Sequence, residues 1–310
     1  MHKVFIDGEV GTTGLQIRER LERRRDLQLV SLPESRRKDT GARRDALNGV
    51  DVAILCLPDD AAREAVSLIG SDRTRVIDAS TAYRVADGWT YGFPELMREQ
   101  RAAVAGATRV SNPGCYPTGF LALVRPLVDA GLLPREWPLS VNAVSGYTGG
   151  GKSMIAEFEG GEEAPPFRAY ATSLGHKHVP EMQIHAGLAH PPLFAPAVGR
   201  YAQGMIVEVP LPLHALPGAP ALAQVRQALR DAYAGERFVE VATDTELANT
   251  KALEPEALNG SNRLRLYPFG DERTGLARLV AVLDNLGKGA SGAAVQNLNL
   301  MLGVDEGEGL

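Results

Sequence analysis

Short apolar runs of strand character alternate with amphipathic stretches through the first third of the chain. KVFID (3 to 7) is followed by the loop G8-E-V-G11-T-T-G14 and then by LQIRERLERR, in which Leu15, Ile17 and Leu21 share much of one helical face. LQLVSL (27 to 32), DVAILCLP (51 to 58), RVIDAS (75 to 80) and TRVSN (108 to 112) repeat the strand signal, with the helical AAREAVSLIG after DVAILCLP. Strands alternating with helices predict a mostly parallel sheet covered on both faces. Past residue 115 the pattern changes. YPTGFLALVRPLVDAGLL reads as a helix with Phe120, Leu123, Leu127 and Val128 inward, interrupted at Pro126. SVNAVSGYTGGGKS (140 to 153) is a strand running into a Gly-rich loop. YAQGMIVEVPLPL (201 to 213), RFVEVA (237 to 242), RLRLYPFG (263 to 270) and LARLVAVLDNL (276 to 286) add strands with longer connections, which predicts an antiparallel or mixed sheet. GKGASGAAVQNLNLMLG (287 to 303) is a helix with Ala294, Leu298 and Met301 on one face, and the acidic, glycine-rich tail DEGEGL is expected to be disordered.

A chain of 310 residues is long for one hydrophobic core, so two compact lobes or one large α/β domain are expected. No window approaches the roughly 18 apolar residues that a membrane span needs. MHKVFIDG enters a strand directly, without the basic start and apolar stretch of a secretory signal, which makes the cytoplasm the expected location. A formal net charge of −5 argues against a nucleic-acid partner. Cys56 and Cys115 are the only cysteines, which excludes a disulfide framework and leaves no metal site to expect.

Strand, glycine loop and helix in that order make the phosphate-binding turn of dinucleotide folds: glycines let the backbone approach a pyrophosphate, which rests on the free N–H groups of the helix. The spacing here is GxxGxxG rather than GxGxxG, and glycine also serves ordinary tight turns. P33-E-S-R-R-K-D39 follows the second strand, where the adenosine ribose lands in such a fold. There Ser35, Arg36, Arg37 and Lys38 outweigh Glu34 and favour the 2′-phosphate of NADP over the 2′-hydroxyl of NAD, although a short basic run also suits a solvated loop. Cys56, inside an apolar run, reads as a small core hydrophobe. Cys115 follows a strand and a Pro-Gly turn and precedes a helix whose free N–H groups favour a thiolate; alone, it is equally well read as a buried thiol. The cluster G175-H-K-H-V-P-E181 changes that balance. In an extended conformation His176 and His178 point the same way and Glu181 can orient one imidazole. Cysteine, histidine and an orienting acid make up the arrangement of thiol-based acyl transfer. A surface loop or a two-histidine metal site is the plainer alternative, the latter lacking an evident third ligand.

In their order along the chain, G8xxG11xxG14, S111-N-P-G-C115-Y-P-T118, S145-G-Y-T-G-G-G-K152, H176-K-H-V-P-E181 and K288-G-A-S-G-A-A-V-Q-N-L-N299 resemble the N-acetyl-γ-glutamyl-phosphate reductases, relatives of the aspartate-semialdehyde dehydrogenases. The resemblance covers essentially the whole chain, and the IDGEVGTTG start is similar to the shorter of the family's two forms. It implies an α/β architecture: a Rossmann-type doubly wound parallel sheet that binds NADP(H), built from residues 1–114 and 286–310, and an α+β catalytic and oligomerisation domain, 115–285, with a mixed sheet. It implies that Cys115 attacks the acyl phosphate, that phosphate leaves, and that NADPH reduces the resulting thioester to the semialdehyde, in arginine biosynthesis. Acid–base duty falls to His178 first and His176 second, with Glu181 as the orienting carboxylate. The implied cofactor residues are Gly8, Gly11, Thr12, Thr13, Gly14, Ser35, Arg36, Arg37, Lys38 and Asn285. Arg84, Lys152 and Ser111 are candidates for the substrate's phosphate and carboxylate, and Asn112 for the nicotinamide or the reacting carbonyl. The loop 287 to 292 should return beside the first glycine loop. The expected partners are a small acyl phosphate and further copies of the chain, as a dimer or tetramer. Rival readings are an aspartate-semialdehyde-type reductase, a cysteine hydrolase and a non-catalytic NADP-binding sensor.

Overall fold

The computed structural model describes residues 1–160 and 164–310. The chain forms two compact units. Met1–Pro94, Glu99–Gly114 and Ala290–Leu310 make the first, and Glu95–Arg98 with Cys115–Gly289 make the second. The C-terminal helix therefore belongs to the first unit, while Leu286–Gly289 and the short segment 95–98 belong to the second.

In the first unit β1 (His2–Asp7), α1 (Thr12–Leu21), β2 (Leu27–Val30), α2 (Thr40–Asn48), β3 (Val52–Leu55), α3 (Asp59–Ser67), β4 (Arg75–Asp78), β5 (Thr90–Tyr91), α4 (Gln100–Gly106) and β6 (Arg109–Ser111) follow in turn. The six strands pair in the order β2-β1-β3-β4-β6-β5, every pair parallel. The pleat explains the near-continuous apolar runs, because alternate residues feed two separate cores. Val4, Ile6, Val52, Ile54 and Ile77 pack with α1 and the C-terminal helix Gly292–Leu302. Phe5, Ala53, Leu55 and Val76 turn to the other face, against Ala46, Leu47 and Ala65. Each fully buried Ile, Leu or Val contributes about 1.5–3 kcal/mol. Leu15, expected on the inward face of α1, is instead 43% exposed, and that face is Ile17 and Leu21. The tail is ordered rather than disordered. Asn299 donates to the carbonyls of Glu306 and Glu308 (3.0 and 2.9 Å), and Arg101 pairs with the Glu306 carboxylate (3.0 Å). Composition misleads here because side chains of the preceding helix and of α4, Asn299 and Arg101, hold the tail.

The second unit is built on α5 (Cys115–Asp129), β7 (Ser140–Gly146), α6 (Gly151–Glu159), β8 (Phe167–Ala169), α7 (Val179–Ala186), β9 (Leu193–Gly199), β10 (Met205–Pro212), α8 (Leu222–Ala232), β11 (Val239–Val241), α9 (Asp244–Asn249), β12 (Leu264–Asp271) and β13 (Leu276–Leu283). Its strands pair in the order β11-β12-β13-β10-β7-β9-β8; β7–β9 and β11–β12 are parallel and the rest antiparallel. α5 packs on β10, β12 and β13, beside α8. The sequence predicts a break at Pro126, yet α5 runs through it. Proline has no N–H for the carbonyl of Ala122 four residues earlier, and the buried Tyr233 hydroxyl donates to that carbonyl instead (2.9 Å). Phe120, Leu123 and Leu127 are inward as expected, whereas Val128 is half-buried. Elsewhere the unit carries a groove of about 580 Å³ lined by residues that include Asn142, Val144, Phe167, Leu174, Ile206 and Glu208.

Candidate active site

Cys115 is the first residue of α5, which begins directly after the Pro-Gly turn. The free N–H groups of that first turn favour negative charge at the sulfur. A cavity of about 200 Å³ gathers Cys115, His176 and His178 with Tyr116, Tyr170 and Lys177, and with Ser145 and the glycines of the loop after β7. The two histidines meet by a route the sequence reading did not anticipate. The segment is not extended: His178 caps the N-terminus of α7, with Pro180 in the first turn and Glu181 close behind it. The His176 and His178 ring centroids are 4.8 Å apart, and His176 Nδ1 accepts the backbone N–H of His178 (3.1 Å). That role requires an unprotonated Nδ1, so the proton of the neutral ring sits on Nε2. Burial, with Lys177 adding to it, pulls the His176 value from 6.5 to about 4. Glu181 is fully buried and is not among the cavity-lining residues.

Aromatic rings fix His176. Phe194 lies 5.0 Å away between centroids, Tyr170 5.8 Å and Tyr116 6.3 Å. The Tyr170 hydroxyl donates to that of Tyr116 (3.2 Å), which donates to the carbonyl of Ala197 (3.2 Å). Burial pushes Tyr170 up to about 12 and Tyr116 well above the usual phenol value, so both stay neutral donors. Neither tyrosine had a sequence signal beyond, for Tyr116, its place next to Cys115.

Within the second unit, Gly289 packs on the residue that carries the thiol. A side-chain carbon on Gly289 would lie 2.7 Å from Cys115 Cβ, so backbone packs directly on the nucleophile. Lys288, just before it, makes a bidentate ion pair with Glu95 (2.7 and 2.8 Å), both side chains fully buried. Asp284, also buried, accepts the N–H of Gly260 (2.8 Å) and of Leu286 (2.9 Å). Asn285, expected at the cofactor, accepts the N–H of Gly204 (2.7 Å) and donates to Thr148 (3.1 Å), bracing the glycine loop of the cavity.

Other expected residues sit elsewhere. Lys152 is exposed on α6 and is not among the cavity-lining residues, whereas Lys177 is. Arg84 is buried in the first unit, its guanidinium donating to the carbonyls of Asn112 (3.0 Å) and Ala79 (3.2 Å). Asn112 is buried too, donating to the Ala290 carbonyl (2.9 Å) and accepting from Asn297 (3.1 Å), and Ser111 lies beside it, 1% exposed. Ser291 of the returning loop donates to Gln16 of α1 (2.9 Å).

The first unit offers a second cleft, of about 660 Å³, whose lining includes Gly8, Glu9, Ser35, Arg37, Lys38 and Arg43. A side-chain carbon at Gly8 would stand 2.3 Å from the Cys56 carbonyl, and one at Gly14 2.3 Å from the Gly8 carbonyl. No side chain caps the first turn of α1, which starts at Thr12 and Thr13 behind the N-cap Gly11. This bare helix N-terminus behind glycines that leave no room for a side chain at 8 and 14 fits a pyrophosphate. Arg36 lies outside the cleft, 3.7 Å from Asp39. Cys56 is inert, its thiol pushed up to about 12 by burial and by the Asp78 and Asp7 carboxylates.

Two family models match in tandem: the NAD binding domain of semialdehyde dehydrogenases over residues 3–104 and their dimerisation domain over 115–285. Fold and site thus define a nicotinamide-dinucleotide oxidoreductase of the semialdehyde dehydrogenase class. The chain is 56% identical to N-acetyl-gamma-glutamyl-phosphate reductase 2 of Nostoc sp., over 99% of both chains. It is 57% identical to N-acetyl-gamma-glutamyl-phosphate reductase of Chelativorans sp., over 97% of this chain and 98% of that one. The chain belongs to the N-acetyl-γ-glutamyl-phosphate reductase family. Among solved structures, aspartate semialdehyde dehydrogenase II of Vibrio cholerae shares the fold (TM-score 0.68, 16% identity, 97% of this chain and 98% of that one). So does the aspartate semialdehyde dehydrogenase of Candida albicans solved with NADP (TM-score 0.63, 12% identity, the same coverage).

Proposed function

We infer that this chain reduces N-acetyl-γ-glutamyl phosphate to N-acetylglutamate 5-semialdehyde and inorganic phosphate with NADPH, a step of arginine biosynthesis. The observation that carries the chemistry is the meeting of Cys115, at the head of α5, with His176 and His178 in one cavity. The Cys115 thiolate attacks the acyl carbon; the C–S bond forms, the C–O bond to phosphate breaks, and phosphate leaves with the electron pair. NADPH, when bound, supplies the hydride that reduces the thioester. His178 gives a proton to the oxyanion of the reduced adduct and takes it back as the C–S bond breaks, releasing aldehyde and thiolate. His176, neutral at working pH, pins the backbone of His178. Glu181, in the first turn of α7, serves as the orienting carboxylate. Lys177 is the cavity's cation for the substrate's phosphate or carboxylate, and Arg84 and Asn112 fix the chain just past the end of β6 in the first unit. In the first unit, the Gly8–Gly14 cradle takes the pyrophosphate, and Arg37 and Lys38 take the 2′-phosphate.

The functional molecule is a homo-oligomer in this reading. Residues 115–285 match a dimerisation domain, and the groove beside Ile206 and Phe167 is a surface for a second copy. The cytoplasm is the setting it implies; among the described residues no helix is long and apolar enough to cross a membrane. The test is phosphate-dependent reduction of NADP by purified protein given N-acetylglutamate semialdehyde, the reverse direction. Turnover that vanishes in Cys115→Ala supports the reading, and turnover equal to that of the variant ends it.

A further inference from the structure

Glu9 stands in the glycine loop, 6% exposed, where a carboxylate beside a phosphate cradle is electrostatically out of place. Its Oε2 accepts from Arg18 (2.5 Å) and from the Ser31 hydroxyl (3.2 Å). Its Oε1 lies 3.2 Å from Arg37 Nη2, a charge contact without hydrogen-bond geometry. Both Glu9 Oε1 and Arg37 Nε are buried atoms with no hydrogen-bond partner among the described residues. Both residues line the same cleft as Ser35 and Lys38.

A buried donor left unpaired costs about 1–3 kcal/mol, and such an orphan in a folded protein calls for an explanation. Glu9 supplies Arg37 with charge but not with direction. A phosphate monoester supplies both, through oxygens that match the guanidinium fork. We propose that Glu9 is a placeholder for the ribose 2′-phosphate of the dinucleotide: it holds Arg37 at the cleft without satisfying it, and the phosphate takes Arg37 over on binding. The inference rests on the NADP(H) reading of this cleft. It adds a specificity-determining residue of the same sign as the ligand. Glu9 keeps Arg37 from folding away, and because its contact must be given up, it taxes phosphate binding and eases release of the spent cofactor.

Calorimetric binding of adenosine 2′,5′-bisphosphate (2′,5′-ADP) and of 5′-AMP, which lacks only the 2′-phosphate, to the full chain tests this. Wild type prefers 2′,5′-ADP. Glu9→Gln, which removes the competing charge, tightens 2′,5′-ADP by about threefold to tenfold more than it tightens 5′-AMP. Glu9→Asp, withdrawn by one methylene while still charged for Arg18, moves the same way and covers a loss of fold in Glu9→Gln. Arg37→Gln weakens 2′,5′-ADP about tenfold or more, with 5′-AMP far less affected. Unchanged or weaker 2′,5′-ADP binding in both Glu9 variants overturns the placeholder role while leaving the NADP(H) reading intact. A wild type indifferent to the 2′-phosphate overturns the NADP(H) reading, and the proposal with it.

Discussion

His176 is the residue whose protonation the structure fixes most sharply. Burial and Lys177 hold it at about 4 against an ordinary 6.5. Between those values the unfolded chain binds more protons than the folded one, so stability falls as pH drops through that window and this contribution is constant above it. Two-dimensional NMR of the imidazole should show His176 titrating near 4. The urea midpoint of His176→Gln should vary less with pH across the same window than that of wild type. A His176 titrating near 6.5 would contradict the neutral, backbone-pinning role given to it. At this scale much of the site was legible. Cys115 and the histidine pair stand in local spacings that reflect their chemistry. Tyr170 and the Glu95–Lys288 pair were not legible, because they reach the cavity or one another only through the fold; Glu95 and Lys288 are 193 positions apart.

Among the elements, the turn 287–291 has the least freedom. Gly289 has no room for a side chain against Cys115, and Lys288 beside it is anchored to Glu95 in the protein interior. Gly289→Ala should displace Cys115 and lower kcat by about 10–100-fold with a far smaller effect on KM, in steady-state kinetics, because small misplacements of a reacting group are costly. Lys288→Met removes the bidentate ion pair of the buried Glu95 carboxylate, a loss of about 3–5 kcal/mol in chemical unfolding. The central strands of the first unit were legible because parallel strands buried on both faces carry near-continuous apolar runs, whichever core each residue serves. Two elements were misread for reasons that can be named. The extended conformation in which HKHVPE would align its histidines gives way to a helix start, whose residues Pro180 and Glu181 are. The break expected at Pro126 is averted by a hydroxyl, that of Tyr233, which is distant in sequence.

For the whole molecule, the division of labour follows from two sheets of different kind. The parallel sheet of the first unit presents strand ends and a bare helix N-terminus, as dinucleotides require. The second unit holds the thiol at the head of α5 and its histidines at the start of α7, while its mixed sheet bears the groove proposed for a second copy. A charge at the centre of that groove should dissociate the assembly: Ile206→Arg is expected to lower the mass seen by light scattering toward that of one chain, while far-ultraviolet circular dichroism stays unchanged. The central claim is narrower. It is that Cys115 becomes acylated on the way to the aldehyde. Protein incubated with N-acetyl-γ-glutamyl phosphate in the absence of reduced cofactor, then acid-quenched and digested, should carry an N-acetylglutamyl adduct on the peptide containing Cys115, with phosphate released in step with the adduct. No adduct at Cys115, or full turnover by Cys115→Ala, would contradict the account.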